Sequence, residues 1–424
     1  MDTLLRSAAA GIGFAVVAFT SFAQQSAPPA PAAPPPAATA PAAPAPAPSW
    51  QQGRSTEQAA SPLHPIAPIL TGRPAAELPV DKLKVPPGFK VEVWADGVPE
   101  ARSLALGDKG TVFVGNRNLK DVYAIVDRGG KREVKKILSG LNSPNGVAFN
   151  KGALYVAERG RITRYDGIED KLDSPPAAKV VIENLDPSNQ PGHFWKFLAM
   201  GPDGKLYFNV GAPGNIVMPA YYQASINRVD PQTGEMERVA EGVRNSVGFD
   251  WHPKTKQLWF TNHARDWVSD DMPNDTLHRV SAKAMNFGYP FCHQGDFPDP
   301  DFGKGRSCKE FDPPSAKLGP HIAPLGMRFY NGTMFPAEYR NNIFIAMHGS
   351  WNKTSKIGYN VTRVILDEKG GVVKMEPFLD GFLTDAKADP PMWGRPVDVL
   401  VMRDGAMLVS DDYNGIIYRV SYKK

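Results

Sequence analysis

The chain has 424 residues, of which 42% are hydrophobic and 22% are charged, enough to bury one large core or two ordinary ones. Its 41 prolines and 39 glycines favour many turns over long helices. The formal net charge is only +4 and no long basic run occurs, which argues against nucleic acid or an anionic membrane surface as a partner. A small-molecule partner is expected.

The N-terminus has the pattern of an export signal. Arg6 precedes an apolar run at 8–19, and Ser21 and Ala23 are the small residues that signal peptidase favours. We therefore predict a signal peptide over 1–23 and a periplasmic or secreted protein. The apolar run is shorter than the roughly 20 residues of a spanning helix, so no membrane span is expected in the mature chain. An uncleaved anchor is the alternative.

A proline and alanine tract follows at 26–48. It has no side chains suited to a core, and its prolines cannot complete the hydrogen bonds of a sheet, so it is expected to be a semi-extended spacer. We predict a linker and N-terminal extension over 24–77 and one folded domain over 78–424.

The folded part contains an internal repeat. Each copy has a short apolar strand, a turn that usually holds Gly, Asp or Asn, and a second apolar strand rich in Val, Phe, Tyr or Ile. The six copies span residues 103–117, 146–159, 197–211, 247–263, 325–349 and 397–412.

Several copies are followed by a third strand, at 160–165, 225–230, 276–281 and 415–422. A repeated antiparallel sheet of three or more strands predicts an all-β, six-bladed β-propeller with long inter-strand loops. About 58 residues per blade exceed the roughly 40 to 50 of common blade repeats, so long loops are expected, chiefly at 264–324 and 367–395.

The two cysteines are Cys292 and Cys308, and no Cys-x-x-Cys-His stretch is present for covalent haem attachment. In an oxidising compartment the pair would close a Pro/Gly/Asp-rich loop as a disulfide, worth roughly 3 kcal/mol for a loop of this length. Two free buried thiols are the alternative.

Seven stretches, taken in order, carry a family resemblance. They are "LKVPPGFKVEVWADGV", "HFWKFLAMGPDGKLYFNVGAPGN", "EGVRNSVGFDWHP", "NHARDWVSDDMPNDTLHRV", "NFGYPFC", "HGSWNKTSKIGYNVTRV" and "GRPVDVLVMRDGAMLVSDD". Together, over residues 80–424, they resemble the soluble quinoprotein glucose/sorbosone dehydrogenases. The resemblance implies a six-bladed propeller that uses pyrroloquinoline quinone (PQQ) and calcium.

His193 lies just ahead of an inner strand, near the expected central channel, where a neutral imidazole can take a hydroxyl proton near pH 7. The resemblance implies that it takes the proton of the anomeric hydroxyl while hydride passes to the quinone. The alternative is a histidine hydrogen-bonded in a strand connection. Gly192 stands where the glucose enzymes have an aspartate, so contacts to sugar hydroxyls are expected to differ.

Arg244 and Asn245 precede the fourth repeat. A planar arginine fork and a neutral amide suit a quinone carbonyl that gains negative charge, and the resemblance assigns this pair to catalysis and quinone binding. The quinone has three carboxylates, so further cations are expected around it, and Lys353 and Arg395 are the best placed. Asn145 is a further candidate.

The resemblance matches Arg395 to one of two closely spaced family arginines, and Val397 falls at the second position. Either the cofactor is held less tightly as a result, or Lys353 or Arg363 supplies the missing contact. The histidines in no metal-ligand spacing are predicted to be structural: His252, His263, His278, His293 and His321.

An acidic loop follows the fourth repeat, and its hard oxygen atoms suit calcium better than zinc. The family holds calcium through backbone carbonyls at the start of this loop. A solvated acidic loop is the alternative, and Trp267 is predicted either to cover the cofactor or to fill the base of the loop. The candidate metal residues are Ala264, Arg265, Asp266, Asp270, Asp271 and Asp275.

These expectations describe an enzyme that oxidises an aldose, sorbosone or a related sugar or aldehyde at C1. Hydride passes to PQQ, and the electrons leave for a separate acceptor, a cytochrome or a quinone. Two alternatives stay open: a metal-dependent lactonase-type propeller, for whose Glu/Asn/Asp cluster the sequence offers no match, and a non-catalytic propeller that binds sugar or protein.

Overall fold

A computed structural model describes residues 49–56, 58–185, 192–220, 222–282 and 285–423. The predicted signal peptide and the proline and alanine tract lie outside the described residues. Within this part of the chain no helix is long and apolar enough to cross a membrane.

Short strands separated by turns make up nearly all of the regular structure. In chain order the strands are β1 (Phe89–Ala95), β2 (Ala101–Leu106), β3 (Val112–Asn116), β4 (Val122–Arg128), β5 (Lys131–Leu138), β6 (Gly146–Asn150), β7 (Ala153–Ala157), β8 (Ile162–Asp166), β9 (Lys179–Ile182), β10 (Leu198–Met200), β11 (Leu206–Val210), β12 (Ser225–Val229), β13 (Met236–Glu241), β14 (Phe249–Trp251), β15 (Leu258–Asn262), β16 (Asn274–Arg279), β17 (Met285–Asn286), β18 (Cys292–His293), β19 (Phe297–Pro298), β20 (Ala316–Pro320), β21 (Pro324–Phe329), β22 (Ile343–Met347), β23 (Asn360–Leu366), β24 (Val372–Leu379), β25 (Pro396–Val401), β26 (Met407–Asp411) and β27 (Ile416–Tyr422). The described helices are single 3-10 turns at Ser49–Gln51, Ala75–Glu77, Val80–Lys82, Ile168–Asp170, Cys308–Glu310 and Ala337–Tyr339.

The strands form six antiparallel blades, as the repeat predicted. Blades 1 to 3 are β2 to β5, β6 to β9 and β10 to β13; blades 4 to 6 are β14, β15, β16 and β20, then β21 to β24, then β25 to β27 with β1. In the last blade, β1 pairs with β27, from Phe89 opposite Tyr422 to Ala95 opposite Ile417. The N-terminal strand therefore closes the ring on the C-terminal one. The protein is an all-β, six-bladed propeller.

The core is divided among the interfaces between neighbouring blades. Each of six buried apolar clusters joins one sheet to the next, and examples are Leu104 with Leu408 between blades 1 and 6 and Phe197 with Phe249 between blades 3 and 4. Each blade packs between two neighbouring blades, so its inner strands bury the side chains on both faces of the sheet. This explains the nearly continuous apolar runs of these strands.

The antiparallel order brings two chain positions of each blade to one end of the channel. The innermost strand begins where the second strand ends, so residues before the first and after the second share this end. The repeat therefore places there the segments around His193, Arg244 and Arg395, each of which precedes an innermost strand.

The predicted third strands are present as β8, β12, β16 and β27, but the expectation that 367–395 is a loop was wrong in part. Its residues 372–379 form β24, the outer strand of blade 5. That strand is mostly exposed and contains Pro377, so it lacks the apolar pattern by which inner strands are recognised.

The other long stretch, 264–324, contains a small hairpin besides β16 and β20. The hairpin pairs β18 with β19, and β17 adds a short parallel pairing to β13 of blade 3. Cys292 of the hairpin is joined by a disulfide to Cys308, with their Cα atoms 5.5 Å apart.

Candidate active site

A cavity of about 330 Å³ lies at the end of the channel where inner strands begin. Five of the six blades contribute to its wall, through segments that precede a first strand or follow a second one. Its charged and ionisable lining is unusually rich in arginine and histidine: Arg102, Arg117, His193, Arg244, His263, Asp266, Asp275, His321, His348 and Arg395.

His193 has a defined tautomer. Its backbone N–H and its Nδ1 both contact the carbonyl of Ala212, at 3.1 and 3.0 Å. Because a carbonyl only accepts hydrogen bonds, Nδ1 carries the proton and Nε2 keeps its lone pair. Burial, followed by the positive charge of Arg244, lowers the pKa of His193 well below its usual value. The ring is therefore neutral at pH 7 and able to accept a proton on Nε2.

Gly192 has a packing reason for its identity. A Cβ atom at this position would lie 2.4 Å from the carbonyl carbon and oxygen of Pro213. No aspartate side chain fits here without a shift of the backbone, so the residue before His193 contributes only its main chain to the cavity wall.

Arg244 is buried and held in place on several sides. Its Nε donates to the Asn215 carbonyl at 2.8 Å, and its Nη2 donates to Asn215 Oδ1 at 2.8 Å and to Asp266 Oδ2 at 3.2 Å. A guanidinium fixed in this way is a preorganised cation, because its side chain loses little conformational entropy when an anionic group binds.

Asn245 and His263 form a second fixed pair beside it. His263 Nε2–H donates to the Pro324 carbonyl at 3.0 Å, so its Nδ1 accepts from Asn245 Nδ2 at 3.2 Å. Burial lowers the pKa of His263 to about 4, which keeps this ring neutral too. The buried Oδ1 of Asn245 has no hydrogen-bond partner among the described residues.

Asp412 is the centre of an ion-pair cluster on another side of the cavity. Its carboxylate accepts from Arg102 Nη1 at 2.8 Å, from Arg395 Nε at 2.7 Å and from His348 Nε2 at 3.2 Å. Burial opposes its charge, yet the neighbouring Arg395 lowers the pKa of Asp412 well below its usual value. Burial also lowers the pKa of His348 to about 3, so this ring is a neutral hydrogen-bond donor to the carboxylate at pH 7. One buried carboxylate therefore orients two arginines and a histidine. We call these four residues the Asp412 cluster.

Arg117 adds a third cation next to this cluster. Its guanidinium lies 3.9 Å from the centre of the Trp195 ring, and its buried Nε has no hydrogen-bond partner in the part of the chain that the structure describes. Burial, then the charges of Arg102 and Arg395, lowers the pKa of Arg117 to about 9, so it remains charged at pH 7. Arg395 likewise has a buried Nη2 that no described residue contacts by a hydrogen bond. These atoms are donors of the kind that carboxylate oxygens bind.

Comparison with known proteins decides the family. A family model described as TrAA12-like matches residues 83–423. The chain belongs to the TrAA12-like family. A protein of Borreliella burgdorferi is 32% identical over 361 residues, which cover 82% of this chain and 93% of that protein.

Three further comparisons are with proteins whose names state a cofactor, a metal or an enzyme family. The PQQ-dependent pyranose dehydrogenase of Coprinopsis cinerea is 25% identical over 344 residues, 69% of this chain but only 46% of that protein. The holo form of its PQQ domain superposes with a TM-score of 0.68 at 19% identity, over 80% of this chain and 97% of that domain. The calcium structure of the Trichoderma reesei family AA12 enzyme has a TM-score of 0.71 at 18% identity, over 85% and 99%. The predicted resemblance to quinoprotein sugar dehydrogenases is confirmed.

The predicted metal residues of this TrAA12-like chain separate into two groups. Ala264, Asp266 and Asp275 line the cavity. Asp275 accepts from the backbone N–H groups of Ala264 and Ala323 at 2.7 and 2.8 Å, and burial raises its pKa to about 6. Among the described residues no group of three or more His, Cys, Asp or Glu side chains is arranged to hold a metal. Any metal here would need main-chain oxygens, as the resemblance implies.

The other acidic residues are turned away from the cavity. Asp270 and Asp271 do not line it; Lys353 Nζ contacts Asp271 Oδ1 at 2.6 Å and the Asp270 carbonyl at 3.1 Å. Lys353, predicted to bind the cofactor, therefore has its charge compensated within this loop. The Arg265 side chain bonds to Asp299 at 2.7 Å.

Four further residues considered in the sequence analysis lie outside the cavity lining. Asn145 accepts from Arg102 at 2.9 Å and orients that arginine. Trp267 lies behind the cavity wall, with its ring 5.5 Å from that of Trp351. Arg363 pairs with Glu376 at 3.2 Å, outside the wall, and Val397 is buried in the apolar cluster between blades 3 and 4.

Sequence reasoning missed Arg102, Arg117 and Asp412 as site residues, and it treated His263 and His321 as structural although both line the cavity. A positional signal for these residues exists in the repeat. Arg102 is at the start of an innermost strand, whereas Arg117, His263 and Asp412 follow the second strand of their blades.

Proposed function

We propose that this protein is a PQQ-dependent sugar oxidoreductase that oxidises an aldose, sorbosone or a related sugar or aldehyde at C1, in the cyclic hemiacetal or hydrated form that has a C1 hydroxyl. The substrate would lose a hydride from C1 and a proton from its hydroxyl, and a separate acceptor, a cytochrome or a quinone, would take the two electrons. When bound, PQQ would supply the electrophile that accepts the hydride. The relatives named as PQQ enzymes support this proposal.

The observation that carries the proposal is the state of His193. A neutral imidazole with its proton locked on Nδ1 offers only Nε2 to a substrate hydroxyl. Such a group acts as a general base, and a positioned general base contributes about 10²–10⁴ in rate. The fixed Nδ1 bond to Ala212 also stops the ring from rotating away.

The arginines would hold the carboxylates and carbonyls of the cofactor. Arg117 and Arg395 each have a buried donor that finds no partner within the described ranges, and Arg244 lies beside His193 as a preorganised cation. Asn245 has a buried acceptor, Oδ1, at the same wall. A tricarboxylate quinone fits this donor set because several convergent cations neutralise its charge. Lys353 has no part in this proposal, since it is paired to Asp271.

Calcium would bind near Asp266 and the main chain of Ala264. Hard oxygens are its preferred ligands, and Asp266 is the lining carboxylate whose oxygens bind no backbone N–H group among the described contacts. The calcium structure of the Trichoderma reesei relative supports a metal in the proposal. We also propose a periplasmic or secreted location, supported by the signal pattern at 1–23.

The test is reconstitution of purified protein with PQQ and calcium, followed by dye-linked oxidation of a panel of aldoses, sorbosone and small aldehydes. Activity is expected with PQQ plus calcium and not with nicotinamide or flavin. Chelation should lower both activity and melting temperature, because a ligand that binds only the folded state stabilises it.

Oxidation of no sugar or aldehyde by the PQQ-loaded protein would overturn the proposal. Opening of lactones with metal alone would identify the lactonase alternative instead. Binding of sugar without turnover would identify a non-catalytic propeller.

A further inference from the structure

A segment outside the family-matched region forms part of the cavity wall. Residues 49–56 and 58–66, here called the strap, precede the match that begins at residue 83. Trp50, Pro65 and Ile66 of the strap line the same cavity as His193 and Arg244. The cavity is therefore completed by a part of this chain that the propeller itself does not supply.

One end of the strap is anchored through Gln52. The Asn215 backbone N–H donates to Gln52 Oε1 at 2.7 Å, and Asn215 Nδ2 donates to the Gln52 carbonyl at 2.8 Å. Gly214 permits this approach, because a Cβ there would lie 1.9 Å from Gln52 Oε1. Asn215 also accepts from Arg244, so the strap is bonded to the residue that positions the arginine beside His193.

The other anchors lie on both sides of the cavity. Trp267 Nε1 donates to the Trp50 carbonyl at 2.6 Å, and the Arg54 guanidinium lies 4.7 Å from the Trp267 ring centre. Arg395 Nη1 donates to the Ile66 carbonyl at 2.6 Å. These contacts tie the strap to blade 4 and to blade 6, so it spans the wall between them.

The indole of Trp50 is the aromatic surface that the strap brings to the cavity. Its ring centre is 5.9 Å from Trp351 in an edge-on arrangement and 6.3 Å from Trp267 in a tilted one. The residue is half-buried and part of its surface lines the cavity. An aromatic face has negative charge density, whereas the C–H bonds on one face of a pyranose ring are apolar and slightly positive.

We propose that Trp50 forms a subsite for the C–H face of a cyclic sugar, supplied by the strap. The inference deepens the proposed function, on which it rests, by identifying a residue that selects pyranose rings over acyclic aldehydes. A sugar is the better occupant than the quinone because the groups suited to carboxylates, such as Arg117 and Arg395, are on the propeller, whereas the strap contributes Trp50, Pro65 and Ile66 to the wall. Rings present an apolar face, and small acyclic aldehydes do not.

Two variants and a control test the subsite. Trp50→Ala removes the aromatic face, and Trp50→Phe retains a smaller one. His64→Ala is the control, since it deletes a ring from the same strap at an exposed position near Asp389, away from the cavity lining. In PQQ-loaded enzyme, Trp50→Ala should raise KM for an aldopyranose about tenfold, with Trp50→Phe intermediate and His64→Ala within about twofold of the parent. KM for glyceraldehyde should be unchanged in all three.

Sugar binding is also measured without turnover, by saturation-transfer NMR of the aldopyranose with PQQ-free protein. Transfer to the ring C–H protons should be present in the parent and His64→Ala, reduced in Trp50→Phe and lost in Trp50→Ala. PQQ titration, followed by fluorescence quenching, should give the same affinity in all four proteins. Melting curves identify a variant that fails to fold, and Trp50→Phe then carries the test.

The outcomes separate the two proposals. Equal NMR saturation transfer to the sugar and equal KM in Trp50→Ala and the parent would overturn the subsite even if the enzyme oxidises sugars. A selective loss of PQQ affinity in Trp50→Ala would also overturn it, because Trp50 would then contact the cofactor. NMR saturation transfer to the sugar that depends on Trp50, in a protein without PQQ-linked turnover, would support the subsite and overturn the proposed oxidation.

Discussion

Two sides of the cavity are built on different principles. On the side of blades 5, 6 and 1, the Asp412 cluster pairs a wholly buried carboxylate with Arg102, Arg395 and His348. On the side of blades 3 and 4, the reactive wall of His193, Arg244, Asn245 and His263 contains two neutral histidines and an acceptor, Asn245 Oδ1, without a partner among the described residues. The first side is arranged around one buried carboxylate and keeps one unpartnered donor, Arg395 Nη2, whereas the second side combines the Arg244–Asp266 ion pair with neutral rings.

We therefore expect the two sides to have different roles, the first in positioning side chains and the second in the reaction itself. A buried charge needs its partners, so a change in the Asp412 cluster should act mainly on folding. His193 in the reactive wall is neutral and keeps a free lone pair, so its removal should act mainly on turnover.

The largest expected effect is on the rate of His193→Ala. Turnover per PQQ-loaded molecule should fall by about 10²–10⁴, because the variant loses the acceptor of the substrate proton. The free energy of unfolding should fall by only about 1 kcal/mol, the net value of the lost bond to Ala212. Loaded enzyme is quantified by absorbance before each rate measurement. Lower melting temperature with unchanged turnover would place His193 among the structural residues and remove the contrast between the two sides.

The second effect is on the stability of Asp412→Asn. Loss of the carboxylate leaves Arg102 and Arg395 buried without their common partner, at a cost of about 3–5 kcal/mol in the free energy of unfolding. Denaturant unfolding measures this change. Asp404→Asn is the control, since its partner Arg419 and Asp404 itself are solvent-accessible, and its unfolding midpoint should stay near that of the parent. Similar midpoints for both variants would contradict the positioning role of the cluster.

The third effect mixes binding and rate. Arg244→Ala should weaken PQQ binding and lower turnover together, the latter by about 10²–10³, because a fixed cation stabilises negative charge in the ground and transition states. Arg228→Ala removes an arginine of the neighbouring blade 3 that pairs with Glu237 and Asp203 at the surface, and it should change neither quantity. A turnover loss without any change in PQQ affinity would limit Arg244 to the transition state.

The smallest expected effect tests whether burial alone, without a nearby positive charge, can keep a histidine neutral. The pKa of His193 is lowered by burial and by Arg244, whereas burial alone lowers that of His278 to about 3. Above pH 6.5 His278 is neutral in the folded and unfolded states and adds no pH dependence. As the pH falls below 6.5, only the unfolded state gains the proton, so the folded state loses about 1.4 kcal/mol per pH unit.

His278→Phe should therefore have a smaller fall in stability between pH 6.5 and pH 5 than the parent, by about 2 kcal/mol. The measurement is denaturant unfolding at several pH values, with the two proteins compared above pH 7 as a reference. An equal pH dependence of the unfolding free energy in the two proteins would show that burial does not lower the pKa of His278. The lowered pKa of His193 would then have to come from the charge of Arg244 alone.

Four predicted site residues, His193, Arg244, Asn245 and Arg395, line the cavity, and each precedes an innermost strand of the repeat. The sequence did not predict how charges pair. Lys353 and Asp271 are 82 residues apart in the sequence, and Arg102 and Asp412 are 310 residues apart. No local sequence pattern predicts contacts over such separations. The strap was predicted only as an extension, since its contacts to Asn215 and Arg395 join parts of the chain that are far apart.

By itself the sequence determined the repeated unit of this protein, and with it the number of blades, because strands and turns follow from local apolar periodicity. The tertiary structure alone decided which polar groups meet, which cations stay available and which are neutralised. Burial, pairing and pKa depend on distances between blades, and closure of the ring by β1 and β27 sets those distances.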